Sequence, residues 1–231
     1  MYVFDVDGTL TPSRQKMDPE FKKFFQKFFR RREYCLVSGS DYKKLQEQVG
    51  DDVLNAAKFV FACSGNNVWV QGREVYKSGW VPVPELIEDL KQALANNSYD
   101  IKTGNHIELR PGLVNFSFIG RNCTQEQRKA YYEWDREHSE RLWLCCELRT
   151  KYPDLTFEIG GEISLDIYPK GCDKSQILTL LQDYDISFFG DGIEPGKNDY
   201  SLAKALYGNS CSYPVTCWQD TQKFLEDIKK A

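Results

Sequence analysis

Histidine is almost missing from this 231-residue sequence: only His106 and His138 occur, in separate segments. A histidine-built zinc site or a Ser-His-Asp triad therefore has little to draw on. The eight cysteines (35, 63, 123, 145, 146, 172, 211 and 217) include no Cys-x-x-Cys pair, which removes a zinc ribbon and a thioredoxin-like redox site from consideration. Most sit in apolar segments such as Tyr34-Cys35-Leu36-Val37 and read as small buried hydrophobes. No charge of one sign dominates: 30 Lys+Arg against 34 Asp+Glu leave a net −4, unsuited to coating nucleic acid or an anionic membrane. The longest apolar runs, such as Phe59 to Cys63, are strand-sized and far short of the ~20 residues that span a bilayer. The opening Met1-Tyr2-Val3-Phe4-Asp5 lacks the pattern of a secretory signal, and its early acidic residues oppose a mitochondrial presequence. The expectation is a cytoplasmic protein with neither nucleic acid nor membrane as partner. A hydrophobic content of 41% argues against disorder and coiled coil and fills one large domain or two small ones.

What is present is an alternation of short apolar strands and amphipathic helices. Tyr2 to Val6 predicts a strand, and Phe21, Phe24, Phe25 and Phe28 predict one face of a helix. Tyr34 to Val37 predicts a second strand, Ser38-Gly39-Ser40-Asp41 supplies a turn and an N-cap for a helix running to about Val49, and Phe59 to Cys63 predicts a third strand. This order signals a parallel sheet with covering helices. After about Lys77 the pattern changes. Leu86, Leu90 and Leu94 mark a helix; two strands flank Arg110-Pro111-Gly112; Thr124 and Gln127 form a capping-box signature before a long helix; and Gly160-Gly161 marks a hairpin. The alternation returns after Pro169, with a helix from about Asp173, a strand from Ile186 to Phe189, a helix from about Asp199 and a terminal helix. The expectation is an α/β core made of residues 1–77 and 171–231, interrupted by an α+β domain over 78–170.

The sharpest chemical signal is Asp5-Val6-Asp7-Gly8-Thr9-Leu10 at the end of the first strand. Residues two apart on a strand point the same way, so Asp5 and Asp7 can converge at the edge where open α/β sheets bind ligands. One carboxylate can attack phosphorus while the other moves a proton, provided a cation offsets their charge. Ser38 or Ser40 can donate a hydroxyl to a phosphoryl oxygen, Lys174 can offset phosphate charge, and Asp191 can complete a metal's carboxylate set. Asn198-Asp199 either supports that site or caps the next helix. Arg14, Arg110, Arg121 and Arg128 exceed what releasing one phosphate requires and suggest a second phosphate held away from the metal. Ser164 and Asp166 share one face of a strand and can hydrogen-bond sugar hydroxyls, with hairpin decoration as the alternative.

In this order the segments resemble the four motifs of the haloacid dehalogenase (HAD) superfamily of phosphotransferases. The resemblance implies a Rossmannoid core with an inserted cap, Asp5 as a nucleophile that becomes a phosphoaspartate, Asp7 as general acid/base and Lys174 as the charge-offsetting lysine. It also implies Mg²⁺ held by the side chains of Asp5 and Asp191 and the carbonyl of Asp7. Over nearly its full length the chain resembles the eukaryotic-type phosphomannomutases, through Phe4 to Thr11 with Arg14-Gln15, Gly39-Ser40-Asp41, Arg110 to Arg121, Cys123 to Arg128, Gly160 to Asp166, Asp173-Lys174 and Phe188 to Asp191. That family relation implies interconversion of mannose 1-phosphate and mannose 6-phosphate for GDP-mannose synthesis, with a hexose 1,6-bisphosphate as intermediate and activator. It further implies Arg14, Ser40, Arg110, Arg121, Arg128, Ser164 and Asp166 as residues that bind the hexose phosphate, and a homodimer formed through the cap. Departures at Ser38, Pro111, Phe118, Gly192-Ile193 and Gly196-Lys197 leave a phosphoglucomutase or a sugar-phosphate phosphatase as competing readings.

Overall fold

The computed structural model describes residues 1–230, which form two compact units. The first contains Met1–Ser78, Gly171–Pro195 and the residues from Asp199 onward; the second contains Gly79–Lys170 with Gly196–Asn198.

In the first unit β1 (Tyr2–Phe4) lies between β10 (Ser187–Gly190) and β2 (Tyr34–Val37), parallel to both, with Tyr2 opposite Ser187 and Tyr34. The sheet order is β11 (Cys211–Pro214), β10, β1, β2, β3 (Phe59–Ala62), then the antiparallel hairpin β4 (Asn67–Val70) and β5 (Arg73–Lys77). Strand alternation gives the sheet two apolar faces. Phe4, Leu36, Val60 and Phe189 face a cluster that includes Phe21, Phe25 and Phe28 of α1 (Pro19–Phe28) and Leu225 of α8 (Trp218–Lys230). Val3, Cys35, Phe61 and Phe188 face a second cluster with Ile177, Leu181 and Leu202 of α7 (Tyr200–Ala205). Each buried phenyl contributes roughly 1.5–3 kcal/mol over its exposed state, which is why α1 docks by the Phe21, Phe25 and Phe28 stripe. Asp18 caps α1 by accepting from the N–H groups of Glu20 and Phe21, with Pro19 in its first turn.

The stretch expected to be a helix from Asp173 is instead a 3₁₀ segment, Lys174–Thr179. The Asp173 side chain accepts from the Ser175 N–H at 2.8 Å and from its hydroxyl at 2.6 Å, a local alternative to the helical ladder. The sequence reading did not include α3 (Asp51–Ala56), the β4–β5 hairpin or the exposed edge strand β11.

In the second unit β6 (Ile107–Arg110), β7 (Leu113–Phe116), β9 (Ser164–Pro169) and β8 (Leu155–Gly160) form an antiparallel sheet in that order. Val114, Phe116, Leu165, Ile167 and Phe157 pack on Leu86 and Leu90 of α4 (Pro84–Asn96), Tyr131 of α5 (Gln125–His138), and Leu144 and Leu148 of α6 (Glu140–Lys151). The opposite face carries a polar row in register across all four strands: Glu108, Asn115, Asp166 and Glu158. Thr124 and Gln127 make both bonds of the capping box. The long helix expected after it is broken by Ser139, whose φ of 57° starts α6 in a new direction. The Gly160-Gly161 hairpin also differs from the expected two-residue loop. Gly160 pairs with Ser164, and the turn is Gly161-Glu162-Ile163 because the fully buried Ile163 side chain belongs to the apolar core. Arg141 anchors this turn: paired with buried Asp135 at 2.7 Å, it donates to the carbonyls of Gly161 and Ser164 at 3.2 Å.

Candidate active site

Backbone geometry places the first carboxylate. The Asp5 N–H donates to the Phe189 carbonyl at 2.9 Å, pinning Asp5 at the carboxyl edge of the sheet where β1 meets β10. The chain then folds back, with the N–H groups of Leu10 and Thr11 donating to the Val6 carbonyl at 2.9 and 3.0 Å. Inside this turn Gly8 has a φ of +81°, and a Cβ there would collide with the Asp191 carboxylate. Glycine is required by conformation and by close approach together. Gly190 is required by close approach alone, since Asp199 Oδ2 would lie 2.6 Å from any Cβ at that position.

Lys174 is the centre of charge. Its ammonium, 1% exposed, donates to Asp5 Oδ1 at 2.6 Å and Asp199 Oδ1 at 2.5 Å. Burial works against the charged lysine, but the carboxylates of Asp199 and Asp5 outweigh it and raise its pKa, so the ammonium stays protonated. Burial pushes Asp5 well above the usual carboxylate range, Lys174 pulls it back, and Asp199 and Asp191 add repulsion. The second oxygen of Asp199 accepts from the Gly192 N–H at 3.0 Å. Asp191 follows β10 and keeps part of its side chain in solvent. Loss of water around its carboxyl and repulsion from Asp199, eased by Lys174 and increased by Asp7, raise it to about 6.

Carboxylate oxygens of Asp5, Asp191 and Asp199 lie within 4.8 Å of one another. Three carboxylates against one ammonium leave excess negative charge, and every donor is a hard oxygen. That set fits Mg²⁺. With both Asp199 oxygens engaged by Lys174 and Gly192, Asp5 and Asp191 are the side chains that would face the ion.

Asp7 has different partners. Its Oδ1 accepts from the Arg14 N–H at 2.7 Å and from Gln48 Nε2 at 3.0 Å, and Ser40 Oγ stands 3.5 Å from its Oδ2. Ser38 Oγ in turn accepts from the Ser40 N–H at 3.0 Å. Gln48 lies on the buried side of α2 (Tyr42–Val49) with Leu45 and Val49, and it also reaches Thr11 Oγ1 at 3.1 Å. Asp5, Asp7, Arg14, Ser40, Lys174 and Asp191 therefore share one unit, and all but Arg14 border strand ends or the segment that feeds Lys174 inward.

The remaining expected residues belong to the second unit. Arg110 Nη2 donates to Glu108 Oε2 at 2.5 Å, Arg121 Nη1 donates to Ser164 Oγ at 2.8 Å, and Arg121 Nε lies 3.6 Å from the same Glu108 oxygen. Arg128, in the first turn of α5, lies 3.6 Å from Glu162. Asn115 Nδ2 donates to Asp166 Oδ1 at 2.5 Å, which fixes that carboxylate on the polar row.

The family profile described as "Eukaryotic phosphomannomutase" matches residues 21–231. A phosphomannomutase of Spinacia oleracea is 37% identical over 235 residues, covering 98% of this chain and 94% of the relative. The chain belongs to the eukaryotic phosphomannomutase family. A second phosphomannomutase, from Drosophila melanogaster, is 37% identical over 242 residues and covers 99% of this chain and 94% of its own length. Membership makes the chain an isomerase that moves a phosphoryl group. Its fold is similar to that of a haloacid dehalogenase-like hydrolase from Bacteroides thetaiotaomicron, with a TM-score of 0.58, 17% identity and 98% of both chains covered. Among the described residues no helix is long and apolar enough to cross a membrane.

Sequence reasoning left Asp199 undecided between site and cap and did not single out Gln48, Glu108, Asn115 or Glu162. The side chain of Asp199 lies in the site, and α7 starts after it without a side-chain cap. Gln48 had a legible signal, a polar residue on the otherwise apolar face of α2. The polar row had none that a single strand could show, because it forms only once the strands align.

Proposed function

We propose that this protein interconverts mannose 1-phosphate and mannose 6-phosphate through a phosphorylated Asp5, using a hexose 1,6-bisphosphate as intermediate and activator. The observation that carries the reading is Lys174, buried between Asp5 and Asp199 with Asp191 alongside. An oxygen of Asp5 forms a bond to phosphorus as the bond from phosphorus to the sugar oxygen breaks. Asp7 gives that oxygen its proton and takes one back when the other hydroxyl of the monophosphate attacks the phosphoaspartate. Gln48 and the Arg14 N–H hold Asp7 in one orientation for both directions. Lys174 favours the charged form of Asp5 against its burial and supplies fixed positive charge, and Ser40 donates to a phosphoryl oxygen. Asp5, Asp191 and the Asp7 carbonyl would hold Mg²⁺, which when bound offsets charge on the transferring group. Arg14, Arg110, Arg121 and Arg128 grip the phosphate that is not being transferred, while Ser164 and Asp166 address sugar hydroxyls.

We extend the reading to a cytoplasmic enzyme whose inserted unit, residues 78–170, acts as the cap and forms a homodimer; exposed Leu109 on the edge strand β6 supports that interface. The test incubates the protein with Mg²⁺, mannose 1-phosphate and a trace of glucose 1,6-bisphosphate, following mannose 6-phosphate and inorganic phosphate together, with Asp5→Asn as control. Activator-dependent mannose 6-phosphate with little free phosphate is expected. Stoichiometric phosphate release, indifferent to the activator, would make the protein a phosphatase. Light scattering of the eluting peak tests the dimer.

A further inference from the structure

Arg110, Arg121 and Arg128 each have a glutamate set against them. Glu108 Oε2 is 2.5 Å from Arg110 Nη2 and 3.6 Å from Arg121 Nε, and Glu162 Oε2 is 3.6 Å from Arg128 Nη1. The first cluster is nearly dry, with the side chains of Arg110, Arg121 and Glu108 exposed by 4%, 5% and 20%. Glu108 and Arg110 stand two apart on β6 and so share a face, with Asn115 next to Glu108 across the ladder. Arg121 spends Nη1 on Ser164 and turns Nε toward Glu108 at 3.6 Å, beyond hydrogen-bond reach, so that neither this Nε nor its buried Nη2 has a hydrogen-bond partner among the described residues. A carboxylate oxygen bonded to a guanidinium N–H occupies a place that a phosphate oxygen can take, since both are anionic oxygen acceptors for the same donors.

We propose that Glu108 is a built-in competitor for the substrate's phosphate. In the ligand-free protein it lies within ion-pair distance of both Arg110 and Arg121 in a nearly dry cluster. When a phosphate arrives, the glutamate's charge opposes it and lowers its affinity, and the free Arg121 Nη2 gives the newcomer a donor that Glu108 does not use. The device suits a mutase. Both ends of a bisphosphate must take turns in the same arginine cradle, so a grip strong enough to orient must also be weak enough to release. The inference rests on the reading that these arginines bind the phosphate that is not transferred.

Glu108→Gln keeps the shape and an acceptor for Arg110 while removing the charge. Titration calorimetry with inorganic phosphate on the full chain is expected to show binding about five- to tenfold tighter, from loss of one like charge at close range in a partly dry site. The KM for mannose 1-phosphate falls in parallel, and kcat falls because release is slowed. Glu162→Gln, at a more exposed glutamate, is expected to change binding about twofold or less. Glu108→Ala is expected on the same side of the parent and gives a second reading where the glutamine variant folds poorly. Arg121→Ala separates the two levels of argument. Unchanged phosphate binding in that variant would sink the cradle itself. Weakened binding there, combined with unchanged or weaker binding in both Glu108 variants, would make Glu108 a mere holder of the arginines and overturn the inference.

Discussion

Replacing Lys174 by methionine removes an ammonium that is 1% exposed and bonded to two carboxylates, Asp5 at 2.6 Å and Asp199 at 2.5 Å, while keeping the length of the side chain. Breaking a buried ion pair by deleting one partner costs roughly 3–5 kcal/mol, because the charge left behind has neither water nor a counterion. Two are left behind here, but one escapes part of the cost by taking up a proton. For a chain of this size 1 kcal/mol shifts the melting temperature by about 2–4 °C, so the metal-free variant should melt about 10 °C lower at pH 8. The sign of the pH dependence follows. Burial already holds Asp5 well above its usual range, and without Lys174 to pull it back its folded-state pKa rises further above that of the unfolded chain, so the folded form binds protons more tightly. The deficit should therefore shrink as the pH falls from 8 to 5. Scanning calorimetry in a chelating buffer at both pH values measures this, and the mutase assay should show kcat lower by about a thousandfold, the scale seen on removing a preorganised stabiliser of transition-state charge. A melting temperature within 2 °C of the parent at pH 8, by that same reckoning of about 2–4 °C per kcal/mol, would show that Lys174 is not the counterion on which the reasoning depends.

Three further expectations concern neighbouring residues. Asp191 is raised to about 6 in the folded protein, so its charge costs stability above that pH and the cost disappears as the pH falls toward 4; metal-free protein should melt higher at pH 5 than at pH 7.5, and Mg²⁺ should raise the melting temperature more at pH 7.5. Asp191→Asn should reduce that slope, leaving the part that Asp5 contributes. Gly8→Ala should push the Asp191 carboxylate aside, cutting kcat at least a hundredfold and destabilising the fold by about 1–3 kcal/mol from the strained positive φ, which denaturant unfolding measures. Gln48→Met should leave stability within about 1 kcal/mol yet lower kcat ten- to a hundredfold by releasing Asp7, with KM nearly unchanged. Equal loss of kcat and stability in that variant would mean that Gln48 only packs.

The core was legible where one local pattern decides one element. Phe21, Phe25 and Phe28 at helical spacing became the buried stripe of α1, and Thr124 with Gln127 became a capping box. The aspartate motif announced the site because its spacing is itself the chemistry. The misses share a physical cause. Ser139 adopts a left-handed conformation that helix-favouring neighbours conceal, so one long helix was expected where two exist. Ile163 entered the core and lengthened a turn that the sequence pattern closes with two glycines. Lys174 sits on a 3₁₀ segment whose local hydrogen bonds depend on Asp173, not on apolar periodicity. Glu108, Asn115, Asp166 and Glu158 come from four strands, and only their alignment makes a row of them.

The position of β1 between β2 and β10 has a consequence for the order of events during synthesis. Asp5 leaves the ribosome first, but the strand that pins it and the ammonium that neutralises it belong to segments more than 165 residues downstream. At ~5–20 residues per second the nascent chain spends roughly ten to thirty seconds with β1 lacking one neighbour and Asp5 lacking its counterion. All of the second unit except Gly196–Asn198 meanwhile emerges as one continuous stretch, Gly79–Lys170, with all four strands of its sheet in hand. It can fold while the first unit waits for β10. Onset of turnover on stalled, progressively lengthened chains would consequently come late and abruptly, once Asp199 has cleared the exit tunnel.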